Sequence, residues 1–125
     1  MEKVSMSHED YLEAIVMLGG TTTNPVRSVD IAAKLEVSKA SVNKAINLLK
    51  EAGMLEQPYY GDITLTEKGY DYGCSVYERH KLLFDFMVSK LGIDPEIAAY
   101  EACQMEHAMS DESFEKWRIF IHALK

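Results

Sequence analysis

Apolar residues recur along this 125-residue chain with two different periods, and the change of period marks out its organisation. Over residues 7–19, SHEDYLEAIVMLG, the apolar positions Leu12, Ile15 and Val16 share one face of a helix. Ser7 is expected to cap that helix, with Asp10 three residues on as in a capping box. GGTTTNP, 19–25, breaks it. A short helix follows over 28–35 with Ser28 as its expected cap, and Val37-Ser38 forms a tight turn. Ser38 then caps a longer helix over 39–52, with Val42, Ala45, Ile46 and Leu49 on one face and Gly53 just past its end. From there the period shortens. Residues 54–60 and 62–66 read as two short strands around Gly61, a small hairpin. Thr66 caps a long helix over 67 to about 90, Pro95 opens another that runs to 108, and Ser110 caps a last one over 111–124.

A short helix, a turn, a second helix and a two-stranded hairpin follow one another in the order of a winged helix-turn-helix. The second helix begins with small and polar side chains, Ser38, Lys39, Ala40, Ser41, Asn43 and Lys44. Such residues can approach base edges and phosphates closely. Specificity is expected from Ser38, Ala40, Ser41 and Lys44, and affinity from Arg27, Lys39 and the wing around Tyr59 and Tyr60. Charge strengthens this picture. The chain carries −7 overall, yet residues 27–50 hold five basic and two acidic side chains, a local +3. A basic stretch inside an acidic protein is a nucleic-acid footprint, or else a solvated helix face.

No apolar run approaches the ~18 residues of a membrane span. The polar, acidic start MEKVSMSHED resembles neither a signal nor a transit peptide. A cytoplasmic protein is expected, without a membrane partner, and Cys74 and Cys103 then read as thiols.

The acidic remainder contains a second chemistry. In EACQMEHAMS, 101–110, helical spacing puts Cys103, Glu106 and His107 on one face. Asp10 and Glu13, three apart, share a face of the first helix, and His80 lies midway along the long helix in YERHKLLF. Each has an ordinary reading: a buried thiol, a solvated Glu-His pair, a capping Asp, a packed His. Together they place carboxylate, thiolate and imidazole groups on three helices, a donor set suited to one or two divalent transition ions.

These residues and their order resemble the diphtheria toxin repressor family of metal-dependent transcriptional repressors, which includes iron-dependent repressors and manganese transport regulators. The resemblance runs from SHEDYLEAI through the helix-turn-helix and ERHKLL to EACQMEHAMS. Cys-x-x-Glu-His-x-x-Ser is similar to the iron-type branch. Asp-Tyr-Leu-Glu at 10–13 is similar to the manganese-type branch, where the iron type carries Met at the position of Asp10. The resemblance implies a metal site of Asp10, Glu13, His80, Cys103, Glu106 and His107, with Cys103 standing where the manganese type has Glu. Phe84 and Ala99 stand where the iron type has ancillary ligands. The SH3-like domain that iron-type members often append is not expected within these 125 residues.

The fold expected is mostly α with a small β-wing: a winged helix-turn-helix over 1–72, then a helical dimerisation and metal-sensing domain over 73–125. Leu82, Leu83, Phe86, Met87, Phe114, Trp117, Ile121 and Leu124 exceed what a thin helical layer buries, so part of them is assigned to a homodimer interface. The expected function is a metal-dependent repressor that senses Mn(II) or Fe(II), with Co(II), Zn(II) or Ni(II) able to substitute. It binds a palindromic double-stranded DNA operator and controls metal-uptake genes. The resemblance implies that a bound ion joins the two halves and sets the spacing of two recognition helices. One rival is a winged-helix repressor that senses an organic molecule. The other is a metal hydrolase with Glu13 as base, for which no nucleophile motif or phosphate loop is present.

Overall fold

The computed structural model describes residues 8–59 and 61–124, so the expected Ser7 cap and the wing residue Tyr60 lie outside the described residues. The chain divides into two compact units, one ending at Ser75 and one starting at Val76, and the division falls inside a single long helix.

The first unit contains α1 (His8–Met17), β1 (Val26–Arg27), α2 (Ser28–Leu35), α3 (Lys39–Glu51), β2 (Leu55–Tyr59), β3 (Asp62–Leu65) and the start of α4 (Glu67–Ser89). Its core is the set of apolar residues that share the helix and strand faces: Leu12 and Ile15 from α1, Ile31 from α2, Val42, Ile46 and Leu49 from α3, and Leu55, Ile63 and Leu65 from the hairpin. On β3 the two-residue period is plain, with Ile63 and Leu65 buried and Asp62 and Thr64 half-buried.

Helix ends follow local chemistry where the capping group is a side chain. The Ser38 hydroxyl accepts from the Ser41 amide at 3.1 Å. The Thr66 hydroxyl accepts from the Gly69 amide at 3.1 Å and donates to the Gly53 carbonyl at 2.6 Å. Gly53 takes φ 75° beyond the end of α3.

Ser28 departs from expectation. The residue preceding α2 in capping position is Arg27, in extended backbone, and its side chain makes no capping bond. The reason is that Val26–Arg27 is a strand, paired antiparallel with β3 as Val26↔Ile63 and Arg27↔Asp62. The sheet therefore has the order β1-β3-β2 instead of a lone hairpin. The Ser28 amide, one of the orphan donors of the helix start, is satisfied by the Gly61 carbonyl of the wing at 2.9 Å. The turn between α2 and α3 is made by Glu36 at φ 55°, a left-handed conformation in a non-glycine residue, with the Val37 amide returning to the Ala32 carbonyl at 3.1 Å. The β2–β3 pairing is irregular between Glu56 and Tyr59, where Pro58 has no amide to donate.

The second unit holds the remainder of α4 with α5 (Pro95–Ala108) and α6 (Asp111–His122). Asp94 caps α5 by accepting from the Glu96 amide at 3.1 Å, and Ser110 caps α6 by accepting from the Ser113 amide at 3.0 Å. Its core is small: Leu83, Met87, Ala98 and Ala102, with Phe84, Phe114 and Trp117 partly buried against it. Phe86 meets Trp117 edge-on with ring centroids 6.2 Å apart. α6 buries no residue fully, and Ile119 and Phe120 are 58% and 60% exposed.

Gly69 shows how tightly the start of α4 is seated, because a Cβ there would overlap the Met54 carbonyl. In an exposed helix interior Gly→Ala stabilises by about 1 kcal/mol. Here the overlap with backbone outweighs that gain, and Gly69→Ala is expected to destabilise the protein by about 1–3 kcal/mol in urea unfolding. A midpoint at or above that of the wild type contradicts this packing.

Candidate metal centre and nucleic-acid face

The start of α3 stands clear of the core. Ser38, Lys39, Ala40, Ser41, Asn43 and Lys44 are all exposed, while Val42, Ala45, Ile46 and Leu49 turn inward. This is the division that the helical period requires, with the polar turn held outward by burial of the opposite face. Ser38 donates its hydroxyl to that of Ser41 at 3.0 Å, so the capping pair is ordered before any partner arrives. Arg27 projects from β1, and with Ser28, Lys39, Asn43 and Gly61 it lines a cleft of about 240 Å³. Two cations from separate elements with a backbone turn beside them suit an anionic phosphate. Ser28 and Gly61 were not expected in this cleft, because the β1–β3 pairing that delivers them is not local in sequence. Tyr59 is 75% exposed on the wing.

On α1, Asp10 is half-buried and Glu13 is only 8% exposed. A carboxylate this buried is uncommon and marks the position as more than a solvated face. Tyr72 of α4 donates its hydroxyl to Glu9 at 2.8 Å, which ties the first turn of α1 to α4 within this unit. A Cβ at Gly73 would crowd Val16 and the Leu12 carbonyl, so α1 and α4 pack in close contact. Burial, and then the neighbouring Asp10 carboxylate, push the Tyr11 phenol up from its ordinary value. It stays neutral, and the charge of this face comes from carboxylates.

The second unit holds His80, Cys103, Glu106 and His107. His80 is half-buried on α4 and stacks on Phe84, with centroids 6.3 Å apart. The other three lie on α5 and meet as their spacing requires. The Cys103 sulfur is 3.6 Å from His107 Nε2. Glu106 is 4% exposed, and its Oε2 lies 3.2 Å from His107 Nδ1. With Nδ1–H directed at this carboxylate, Nε2 accepts from the thiol. That is also the arrangement in which a histidine serves a metal, one nitrogen oriented by a carboxylate and the other turned to the ion.

The Cys103–His107 pair passes a distance test. Sulfur at about 2.3 Å and nitrogen at about 2.0–2.1 Å from one tetrahedral ion lie about 3.6 Å apart. The Cys103–His107 separation of 3.6 Å matches that figure without rearrangement.

Arg79 was missed in the sequence. Its side chain is 15% exposed, and it reaches both the Glu106 carbonyl and the Asp111 carboxylate. The available signal was its place four and eight residues before the buried Leu83 and Met87, on the inward stripe of α4.

Known proteins share this organisation. Residues 3–62 match the N-terminal DNA-binding domain of the iron dependent repressor family. Residues 66–125 match its metal binding and dimerisation domain. An uncharacterized HTH-type transcriptional regulator of Methanocaldococcus jannaschii is 37% identical over 98% of both chains. The transcriptional regulator MntR of Escherichia coli is 35% identical over 90% of this chain and 71% of its own. Among solved structures, the manganese regulator SloR superposes with a TM-score of 0.81 at 26% identity, over 95% of this chain and 55% of that one. The chain thus spans about half the length of that structure.

If the Cys103 thiolate is a ligand, the reduced protein loaded with Co(II) is expected to show a strong near-ultraviolet sulfur-to-cobalt charge-transfer band, and Cys103→Ser to lose it. A wild-type cobalt complex without the band removes the thiol from the donor set.

Proposed function

Because the chain belongs to the iron-dependent repressor family of metal-dependent transcriptional regulators, we propose that it represses metal-uptake genes when Mn(II) or Fe(II) is bound. The family is one of transcriptional regulators, not enzymes. The observation that carries the reading to this chain is the Cys103–His107 pair at 3.6 Å, oriented by buried Glu106. The proposed ligands are Cys103, His107 and His80 with the α1 carboxylates Asp10 and Glu13, and Glu106, expected as a ligand, is assigned instead to orienting the His107 ring from its Nδ1 side.

When bound, a divalent ion supplies concentrated positive charge and fixed bond directions. Cys103 and His107 present donors one helical turn apart. Glu106 holds the imidazole ring in its productive orientation. Asp10 and Glu13 bring carboxylates whose mutual repulsion is relieved by a cation. Ligands drawn from α1 and from α5 make the arrangement of the chain depend on metal. The gain is limited to the difference in affinity between the competing arrangements. The thiolate is a soft ligand and the α1 carboxylates are hard ones, so a site accepting both iron and manganese follows, with iron or cobalt effective at lower concentration.

DNA engagement is assigned to the exposed start of α3, with Arg27 and Lys39 on phosphates and Tyr59 and Tyr60 on the wing. The exposed Ile119 and Phe120 of α6, in the region matched to a dimerisation domain, support a homodimer. A two-fold dimer requires an inverted-repeat operator.

In gel shifts on the chain's own promoter region, chelator is expected to weaken binding by a factor within the usual coupling range of about 5–150, and His107→Ala to mimic chelator. Metal-stripped protein that binds as tightly as loaded protein excludes the switch.

Lys39→Ala is expected to weaken binding to all sequences alike and to reduce the slope of log affinity against log salt by about one unit. An unchanged slope means that Lys39 neutralises no phosphate.

A further inference from the structure

Arg79 occupies the inward stripe of α4, one residue before His80, and its side chain is only 15% exposed. A guanidinium in such a place must find acceptors or it destabilises the fold. Its two terminal nitrogens find theirs on one short stretch of chain. Nη2 donates to the Glu106 carbonyl at 3.2 Å and to the Met109 carbonyl at 2.9 Å. Nη1 donates to the Asp111 carboxylate at 2.9 Å, and Nε lies 4.0 Å from Glu106 Oε1. The guanidinium carbon sits 4.8 Å from the centre of the Phe114 ring.

Glu106 lies in the last turn of α5, where its carbonyl also accepts from the Met109 amide at 3.4 Å, and Met109, in extended backbone, is the residue that ends the helix. Arg79 therefore acts as a C-terminal cap supplied by a different helix. The turn it caps is the one that carries His107, and α5 ends one residue later at Ala108. Helix ends fray, and the Cys103–His107 separation survives only while this last turn keeps its register.

We propose that Arg79 is a positioning residue for the metal centre. It locks the last turn of α5 and so holds His107 Nε2 opposite the Cys103 sulfur, with Glu106 in place behind the imidazole. This rests on the reading of Cys103 and His107 as ligands. Lysine cannot replace it, because a single ammonium on a flexible stem does not span two carbonyls and a carboxylate in one plane.

The test uses the full chain, stripped of metal and titrated with Co(II), comparing wild type with Arg79→Lys. Three quantities are read: thermal unfolding of the stripped protein, Co(II) affinity, and the thiolate-to-cobalt band. The variant is expected to unfold cooperatively, to bind Co(II) about 10–100-fold more weakly, and to show a weakened or shifted band. A variant with a lowered melting temperature but wild-type affinity and band shows a merely structural cap and overturns the proposal. If Arg79→Lys yields no folded protein, Phe114→Leu removes the ring beneath the guanidinium and leaves the hydrogen bonds available. It is expected to weaken Co(II) about threefold or more, and wild-type affinity there also overturns the proposal. A wild-type protein without the band overturns the ligand reading, and the role of Arg79 with it. A wild-type band left unaltered in the folded variants overturns the role of Arg79 alone.

Discussion

A carboxylate that is 4% exposed cannot stand alone, and the second unit is organised around that constraint at Glu106. Its oxygens face an imidazole at 3.2 Å and a guanidinium at 4.0 Å, and its backbone carbonyl accepts from the same guanidinium. The fully buried apolar residues of this unit are few, Leu83 and Met87 with two alanines, and partly buried side chains such as Phe84, Met105, Phe114 and Trp117 pack against them. The polar contacts of Glu106 and Arg79 are directional where apolar packing is not.

The first unit solves the opposite problem. It must expose polar side chains on a rigid support, and it does so by burying Val42, Ala45, Ile46 and Leu49 on the far face of α3. Arg27 and Lys39 line one cleft beside the outward start of α3, and outside residues 27–50, which carry +3, the rest of the chain carries −10. Segregation of this kind lets an overall acidic protein approach DNA with a cationic surface and keep carboxylates elsewhere for cations. Among the described residues no helix is long and apolar enough to cross a membrane.

What could be read from the sequence was what is local. Ser38, Thr66 and Ser110 cap the helices they were expected to cap, because a capping hydroxyl bonds an amide only two or three residues away. The meeting of Cys103, Glu106 and His107 was equally legible, since a helix alone puts those positions together. Ser28 was misread because β1 is two residues long, too short to show a period, and its partner β3 lies far along the chain. Glu36 was missed because a left-handed turn without glycine leaves little mark in composition. Arg79 was missed because a charge on a helix reads as solvent-facing until the carbonyls and the ring that cover it are known. Tyr60 and Ser7 lie outside the described residues, and their roles rest on sequence alone.

The central claim is that metal and DNA are bound by one coupled system. Linkage requires the coupling to be reciprocal: if metal tightens DNA binding, DNA must tighten metal binding by the same factor. The most direct measurement is the Mn(II) affinity of the protein free and saturated with operator, followed through the electron paramagnetic resonance signal of free Mn(II). The expected result is tighter binding on the operator, by the factor that Mn(II) adds to operator affinity. Equal Mn(II) affinity on and off the operator would contradict the account.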